Sequence, residues 1–598
     1  MNYFCNPINV PYHYQFSRQM MSENIEISRE AADPSMILFQ GRYYMFPSMN
    51  LSVWVSDDLV NWESHALPEN LPLYDYAPDV RVIGDYVYFS ASRRGKNCDF
   101  YRTKDVLNGP YEKIEGTFAF WDPNLFEDED GKVYFYWGSS NVTPIYGVEM
   151  NPETMKRIGE PQELIFGNAW DHGYERVGEN NSIMPRSEKE IDEHVGEVIA
   201  AYGVCVENLP EKDWLTLRGC VSQKPYIEGA WMTKYNGKYY LQYAFSETQS
   251  NVYGDGVYVS DKPLGPFTLA QNNPYSFMPE GFLSGAGHGS TMEDKEGTWW
   301  HASTMRISVN QQFERRVGLW PAGFDEDGEL FCNQRYGDWP MSIDRFKKNP
   351  WAEPEWMLLS CGKKMEGSSF EAGKEPEKAA QENVRTWWRA ATNEPGQWLK
   401  MDLGKEQDVR AIQINFADDK LDIPVPGEIC TDVDMPRYIA PELEPTCWLL
   451  EGSIDGENWE TLSDKTDTST CLPHDLVVLE EGAQVRYIKL TVIAVPYNQP
   501  ACISGLRVFG NSEGEKPSKA EYTVERLNGE EMFVKASARG SVGYNILWGH
   551  SPEKLYHSWI VYGDCEQKIS ALVKGREYYV RVDAFNECGI TAGDPVKL

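Results

Sequence analysis

Three acidic side chains occupy nearly the same position in an irregular sequence repeat. Each repeat unit contains a glycine followed by paired aromatic or β-branched residues, and an acid precedes that glycine at a nearly constant spacing: Asp33 by eight residues to Gly41, Asp122 by nine to Gly131, and Glu228 by nine to Gly237. Asp-Pro is a common turn initiator, but turn residues have no reason to keep such a spacing. Equivalent positions of a repeat face the same feature of a symmetric fold, so the three carboxylates are expected to converge.

Converging carboxylates suit the hydrolysis of a glycosidic bond. That reaction needs a proton donor for the leaving oxygen and a second carboxylate that activates water or attacks the sugar. Glu228 lies among apolar residues in "KPYIEGAWM", where burial favours the protonated acid, so it is predicted to be the donor. Asp33 lies at the more polar turn "AADPSM" and is predicted to stay ionised as the base, whereas Asp122 would orient Glu228 and help to hold its proton.

Further polar and aromatic side chains are candidates for binding the substrate. His288 lies nine residues before Gly297, and Asp79 lies five before Gly84. A long insertion and bulky tryptophans are expected to enclose the place where the acids converge in a pocket, which favours release of terminal sugars over internal cleavage. The same rings fit a hydrophobic core equally well. The candidates are Trp54, Trp121, Trp170 and Trp231.

The repeat also predicts the elements that position these side chains. Five runs combine a glycine with strand-forming residues, and each predicts a turn that enters a strand: "QGRYYMF", "IGDYVYF", "DGKVYFY", "NGKYYLQ" and "EGTWWHA". Further strand and turn signals follow, so a unit contains roughly four strands. Units of about 40 to 60 residues with almost no helical periodicity predict an all-β fold, with a five-bladed β-propeller over residues 1–345.

One gap in the repeat, from Gly131 to Gly237, is about twice as long as the others. Two interpretations are open. The segment at about residues 157–222 is an insertion, or the gap holds a sixth, diverged blade.

Composition narrows the range of partners. The formal net charge is −35, and both nucleic acid and anionic lipid require clustered Lys and Arg, so neither is an expected partner. The 12 cysteines contain no C-x-x-C pair, so neither a zinc site nor a dense disulfide scaffold is indicated. The N-terminus lacks a signal-peptide pattern and no segment has the ~18 consecutive apolar residues of a membrane span. These features predict a cytoplasmic protein of unknown oligomeric state.

The motifs of the first half resemble those of glycoside hydrolase family 43. The resemblance covers about residues 6–340 and rests on Asp-Pro at Asp33 and Asp122 and on Glu-Gly at Glu228, each before a glycine–aromatic strand. It implies a five-bladed propeller and an inverting mechanism. In that mechanism Asp33 is the general base, Asp122 modulates the pKa of the acid, and Glu228 is the general acid.

Two more segments resemble the same family. "GAGHGS" is similar to its Gly-x-Gly-His motif, which implies that His288 lies at the channel centre and, in some members, near a structural calcium. "FERRVGLWPAGF" is similar to a segment whose arginine reaches the sugar, which implies a substrate contact for Arg315; a surface salt bridge beside Arg316 is an equally good interpretation. Ala230 departs from the proline that many members have after Glu-Gly, so the family's substrate range transfers less safely. No cofactor is expected for the chemistry itself.

The family acts mainly on α-L-arabinofuranosides, β-D-xylosides and arabinan. The resemblance therefore implies an exo-acting inverting glycosidase that removes terminal α-L-arabinofuranosyl or β-D-xylosyl residues from plant-derived oligosaccharides or polysaccharides. The alternatives are a galactose- or galactofuranose-releasing glycosidase of the same fold, a carbohydrate-binding propeller without hydrolysis, and a protein-interaction propeller.

Composition changes after about residue 345, where residues 346–361 are expected to form a linker. Residues 362–511 alternate apolar and polar side chains between turn signals, which predicts an antiparallel sandwich. Segments such as "QWLKMDLG" and "WLLEGSIDGENWETL" resemble a discoidin-like (factor V/VIII type C) domain. Residues 517–598 resemble a fibronectin type III domain, a second β-sandwich for which a packing role is expected.

Overall fold

Strands make up most of the regular structure in the computed structural model. It describes residues 2–19, 24–93, 95–115, 118–203 and 210–598. Only three α-helices occur in these ranges, so the all-β prediction is confirmed at the level of fold class. None of the helices in the described ranges has the length and apolarity that a membrane span requires.

Three short strands precede the repeat: β1 (Tyr3–Phe4), β2 (Tyr14–Arg18) and β3 (Ile25–Arg29). β2 pairs with β3, so the chain enters the repeat next to a small antiparallel sheet.

Five successive groups of four antiparallel strands follow within the described part of the chain. Each group runs up and down, so every strand pairs with the next one in sequence. In chain order the strands are β4 (Ala32–Phe39), β5 (Arg42–Ser48), β6 (Ser52–Ser56), β7 (Glu63–Ala66), β8 (Asp79–Ile83), β9 (Tyr86–Ser90), β10 (Phe100–Thr103), β11 (Glu112–Ile114), β12 (Asn124–Glu127), β13 (Val133–Trp137), β14 (Ile145–Met150), β15 (Arg157–Ile165), β16 (Tyr226–Tyr235), β17 (Lys238–Ser246), β18 (Gly254–Ser260), β19 (Thr268–Leu269), β20 (Ser284–Glu293), β21 (Trp299–Arg306), β22 (Arg315–Phe324) and β23 (Leu330–Cys332).

The repeat glycines occupy the turn between the first and second strand of each group. All have a positive φ, which a residue without a Cβ adopts without strain. The values are 79° at Gly41, 56° at Gly84, 80° at Gly131, 75° at Gly237 and 86° at Gly297. The glycine positions therefore mark the hairpins that the sequence predicts.

The first strands of the five groups contact one another in cyclic order. β4 contacts β8, β8 contacts β12, β12 contacts β16, β16 contacts β20, and β20 contacts β4 again. Residues at the beginning of these five strands are thereby brought around one centre.

The long gap in the repeat holds helices rather than a sixth group of strands. Residues 157–165 form β15, the last strand of the third group, so the insertion begins later than predicted. The helical insertion (residues 166–225) contains α1 (Glu188–Tyr202) and α2 (Glu211–Ser222); residues 204–209 of the predicted segment lie outside the described residues. Ser187 directly precedes α1 and caps its N-terminus, because its side chain forms a capping box with Glu190.

After the fifth group, β24 (Met341–Ser342) returns to pair with β1 and is followed by α3 (Ile343–Lys348). The sheet unit (residues 357–511) then forms one antiparallel sheet, with the order β25-β33-β28-β32-β30-β31; β26 pairs with β28 and β27 with β33. Its strands are β25 (Met357–Leu358), β26 (Lys364–Gly367), β27 (Trp388–Arg389), β28 (Gln397–Phe416), β29 (Arg437–Ile439), β30 (Cys447–Ser453), β31 (Glu460–Lys465), β32 (His474–Ala494) and β33 (Cys502–Asn511). β29 leaves this unit and pairs with β2 instead.

The two-sheet unit (residues 521–597) ends the chain. β34, β35 and β38 form one sheet and the remaining strands form the other. Trp548 and Trp559 are buried in their common core, which continues into the core of the third and fourth strand groups. The strands are β34 (Glu521–Arg526), β35 (Met532–Ser537), β36 (Gly543–Gly549), β37 (His557–Tyr562), β38 (Cys565–Ile569), β39 (Tyr579–Asn586), β40 (Gly589–Thr591) and β41 (Val596–Lys597).

Candidate active site

The backbone is irregular at each of the predicted site residues. Register shifts interrupt β4 next to Asp33, β16 after Glu228 and β20 around His288. The φ angles are positive at Asp33 (47°), Asp122 (48°) and His288 (52°). A bulge changes the direction of a side chain. A positive φ at a non-glycine residue costs about 1–2 kcal/mol, so packing and hydrogen bonds must hold these conformations. Residues elsewhere in the described chain, such as Gln40 and Met49, also have a positive φ, so the conformation alone does not mark the site.

Asp33 is buried in a shell of donors and cations. The Ser48 hydroxyl donates to its Oδ2 at 2.7 Å, and Nη1 of Arg315 lies 3.3 Å from its Oδ1. Burial alone would raise the pKa of Asp33, but Arg315, His288 and the hydrogen bonds from Ser48 and Thr304 outweigh burial, so the pKa lies below its ordinary value. Asp33 is therefore an ionised carboxylate at neutral pH, as a general base must be.

Asp122 is buried in a more negative environment. The backbone N–H of Gly229 donates to its Oδ2 at 3.3 Å, and the Ser92 hydroxyl lies 3.4 Å from its Oδ1. Burial raises the pKa of Asp122 to about 7; the His288 cation opposes this shift, whereas the carboxylates of Glu228 and Asp33 add to it. Asp122 therefore exchanges a proton near neutral pH.

Glu228 is half-buried and bound by two hydroxyl groups. Tyr253 donates to its Oε1 at 2.6 Å, and Ser139 donates to its Oε2 at 2.9 Å. A hydroxyl can also accept, so Ser139 can accept a hydrogen bond from the protonated carboxyl group without moving. The pair of hydroxyls fixes the direction in which Glu228 can donate. Neither residue is predicted by the repeat.

His288 lies between the two aspartates. Its Nδ1 is 3.5 Å from Oδ1 of Asp33 and 3.8 Å from Oδ2 of Asp122. Burial lowers the pKa of His288, but the surrounding carboxylates outweigh it and the pKa lies above its ordinary value. Its backbone N–H donates to Oδ1 of Asp255 at 2.7 Å, which fixes the strained main chain. Nδ1 of His288 therefore lies close to both aspartates, whose charges favour the protonated imidazole.

Gly229 is required by the contact with His288. At a φ of 58°, a Cβ atom would lie 2.7 Å from Cγ of His288. Any larger residue would displace the imidazole ring, which explains the glycine that follows Glu228.

Arg315 belongs to the site, but it is neither a surface residue nor a free cation. It is buried, with its Nη2 2.5 Å from Oε1 of Glu30 in addition to its contact with Asp33. The surface salt bridge considered for Arg315 is therefore wrong. Arg316 is also buried, and its Nε contacts Nε2 of His474. A direct contact between Arg315 and the sugar stays a prediction.

Two tryptophans that were predicted to contact the substrate lie in the core. Trp54 is 0% exposed and packs edge-on against Tyr12. The indole N–H of Trp231 donates to the carbonyl of Thr291 at 3.0 Å, and Arg81 lies over its ring at 4.2 Å. Both predictions are corrected, because no face of either ring is available to a sugar. Trp121 is half-buried directly before Asp122, and its contact with substrate stays a prediction.

Asp79 does not reach the site either. It is buried, and its two oxygens accept from the Asn124 side chain at 3.0 Å and from the Leu125 backbone N–H at 2.7 Å. Asp79 therefore joins β8 to β12. The five-residue spacing to its glycine, instead of eight or nine, is the sequence signal that separates it from the other acids.

Asp122, Glu228 and His288 each present one potential ligand atom, and these atoms lie within 4.8 Å of one another. Calcium prefers six to eight oxygen ligands, whereas these residues present three atoms, one of them an imidazole nitrogen. The three groups therefore do not fit a calcium ion. A structural calcium elsewhere near His288 stays a prediction.

Two cavities lie near the strand groups. The larger, about 870 Å³, lies between the first group and the sheet unit and contains none of the site residues. The smaller, about 370 Å³, is bounded by Ser140 and Ile227, the sequence neighbours of Ser139 and Glu228, and by the helical insertion. Trp170 lines the smaller cavity and is 45% exposed. We call this cavity the insertion groove.

Comparisons with known proteins identify one family and several similar proteins. The model of glycosyl hydrolases family 43 matches residues 23–180 and 203–330. "Xylosidase/arabinosidase 43A" of Humicola insolens is 26% identical over 343 residues, which are 50% of this chain and 95% of that protein. "Xylosidase/arabinosidase" of Bacteroides ovatus is 25% identical over 273 residues, 40% of this chain and 76% of that protein. A thermostable family-43 glycoside hydrolase of known structure covers 56% of this chain and 98% of its own, with 20% identity and a TM-score of 0.40.

The matched ranges contain Asp33, Asp122 and Glu228, together with His288 and Arg315. The chain therefore carries a domain of glycosyl hydrolases family 43, and the protein is a glycoside hydrolase.

Proposed function

We propose that the protein is an exo-acting, inverting glycosidase that removes terminal β-D-xylosyl or α-L-arabinofuranosyl residues from plant-derived oligosaccharides. The names of the two relatives support this choice of sugars. One structural observation carries the proposal: a carboxylate with a lowered pKa, Asp33, shares a centre with the hydroxyl-bound Glu228, and Asp122 lies beside both.

In the proposed reaction, Glu228 protonates the leaving-group oxygen while Asp33 removes a proton from water. The water attacks the opposite face of the anomeric carbon, so the configuration inverts in one step. Each carboxyl changes its protonation state once, and proton exchange with solvent restores both. Asp122, whose pKa is raised to about 7, lies close to Glu228 and keeps a proton in the site near neutral pH.

We further propose that the cyclic order of the five strand groups is a five-bladed propeller over residues 1–345. The sheet unit and the two-sheet unit would then be the sandwich domains, discoidin-like and fibronectin type III-like, that the sequence suggests. The contact between the insertion and the two-sheet unit supports a bracing role, because Arg176 lies 3.2 Å from Glu530.

The insertion groove is the proposed site of the leaving group. Trp170→Ala should raise KM for a xylo-oligosaccharide about two- to tenfold, since an aromatic stacking contact contributes ~0.5–1.5 kcal/mol. KM for a nitrophenyl xyloside should change less, because its leaving group is not a sugar. Phe370→Ala, which removes another exposed ring outside the matched domain, is the control. Equal KM changes for both substrates would argue against a sugar subsite at Trp170.

The pH profile tests the role of Asp122. In the wild type, the Asp122–Glu228 pair retains a proton up to about pH 7, since the pKa of Asp122 is raised to about 7. In Asp122→Asn, the carboxyl group with this raised pKa is absent, so activity should decline at a pH about one unit lower on the alkaline side. An alkaline limb of kcat/KM that stays in place would remove Asp122 from this role.

The substrate proposal is tested with nitrophenyl β-xyloside, α-L-arabinofuranoside and β-galactofuranoside, followed by the corresponding oligosaccharides. Release of xylose or arabinose from chain ends is the expected result. Release of galactofuranose alone would replace the proposed substrate. Binding of glycans without any hydrolysis would instead support a carbohydrate-binding role.

A further inference from the structure

One strand from the sheet unit's part of the chain, β29, pairs with a strand of the catalytic half. β29 pairs with β2 in antiparallel register, with Gln15 opposite Ile439 and Phe16 opposite Tyr438. β2 also pairs with β3, which ends at Arg29, directly before Glu30. A segment more than 400 residues away in sequence thereby lies beside the base of the proposed reaction.

Arg437, the first residue of β29, is fully buried at this junction. Its Nη1 lies 3.5 Å from Oε2 of Glu30 and 3.4 Å from Oε1 of Gln15. Its Nη2 donates to the hydroxyl of Tyr76. The guanidinium is therefore held on three sides by groups of the catalytic domain.

Glu30 bridges two cations through its two oxygens. Oε1 contacts Arg315 and Oε2 faces Arg437. Arg315 in turn contacts Asp33, so positive and negative groups alternate from the sheet unit to the general base. These four buried side chains are two arginines and two carboxylates, so together they carry no net charge. This balance limits the cost of burying them.

We propose that Arg437 is a positioning residue for the general base: by holding Oε2 of Glu30, it orients the Glu30–Arg315 pair against Asp33, so that the sheet unit supplies part of the active site. This inference rests on the proposed role of Asp33. The sheet unit would then contribute to catalysis. A unit that only braced the catalytic domain would not need a buried cation beside the site.

Charge balance gives the expected sign. Burial raises the pKa of Glu30, and the cations of Arg315 and Arg437 oppose that shift. Without Arg437, the buried cluster carries one excess negative charge and takes up a proton at higher pH. Protonation of Asp33 removes the base, and protonation of Glu30 releases Arg315 from its fixed position. The charged and titratable groups that face this pair are Arg315, Arg437, Tyr76, His288, Asp122 and Tyr253.

The test compares full-length Arg437→Met, Arg437→Lys and the double variant Arg437→Met/Glu30→Gln on a glycoside that the wild type cleaves. The acid limb of kcat should move to higher pH by about one unit in Arg437→Met, with little change in KM. Arg437→Lys should keep much of the wild-type profile. The double variant removes one charge of each sign and should return the limb toward its wild-type position. A loss of stability without any shift of the acid limb would mean that Arg437 is structural only.

Asp432→Asn is the matched control, because Asp432 lies in the same segment and pairs with Arg93 and Lys96 without contacting Glu30. Its acid limb should not move. Infrared difference spectra between each variant and the wild type give a readout that does not depend on turnover: at mildly acidic pH, Arg437→Met should gain the band of one additional buried protonated carboxyl group, beyond that of Asp122, and the double variant should not. If no glycoside is cleaved but this band appears, the proposed function fails, while the effect of Arg437 on the buried carboxyl groups is supported. If the band is absent, Arg437 does not control the protonation of the buried carboxyl groups, and the inference fails.

Discussion

Replacing Glu228 with glutamine should lower kcat on a natural xylo-oligosaccharide by about 10²–10⁴, the range of general acid catalysis. Glutamine keeps the size of the side chain: its Oε1 can accept from one of the hydroxyls of Tyr253 and Ser139, and its amide N–H can donate to the other. It has no proton to give to the leaving oxygen. Nitrophenyl glycosides should be affected less, because nitrophenolate needs little protonation to leave.

Glu163→Gln is the control for this variant, since Glu163 is exposed on β15, away from the centre. Its kcat should equal that of the wild type on both substrates. Near-normal cleavage of the oligosaccharide by Glu228→Gln, or an equal loss on both substrates, would show that Glu228 is not the proton donor.

The second large effect is expected for Asp33→Asn. The amide can retain contacts with Ser48 and Thr304 but cannot remove a proton from water. We expect kcat to fall by about 10²–10⁴ whatever the leaving group, because attack by water is impaired for every substrate. The contrast with Glu228→Gln, whose effect depends on the leaving group, separates base from acid.

Asp128→Asn controls for the removal of a buried acid. Asp128 is buried and pairs with Lys234 and Tyr239 outside the centre. This variant should lose stability and retain kcat. If Asp33→Asn keeps more than a tenth of the wild-type kcat, another group activates the water.

The repeat makes part of the site predictable. Because each first strand contacts the next in cyclic order, a shared spacing to the turn glycine translates into a shared place in space. That relation brings Asp33, Asp122 and His288 together, although Asp122 lies 89 residues after Asp33 in the chain. A pattern of spacing is sufficient here because the fold itself repeats.

Other features have no such signal. Arg437 and Tyr253 reach the site from distant segments, and Glu30 is held there by Arg437; neither their types nor their spacing mark them. The prediction that tryptophans contact the substrate fails for a different reason. Large rings also fill the core, as Trp54 does at 0% exposure. The sequence around a tryptophan does not distinguish that role from sugar binding. Only burial separates the two.

The anomeric configuration of the first product tests the proposed roles most directly. Proton NMR spectra recorded during the first minutes of hydrolysis, before mutarotation, report the configuration of the released sugar. With Asp33 as a base that activates water, a β-xyloside should yield α-xylose first. First release of β-xylose would mean that a carboxylate of this site attacks the sugar itself, and it would contradict the assignment of Asp33 as the base.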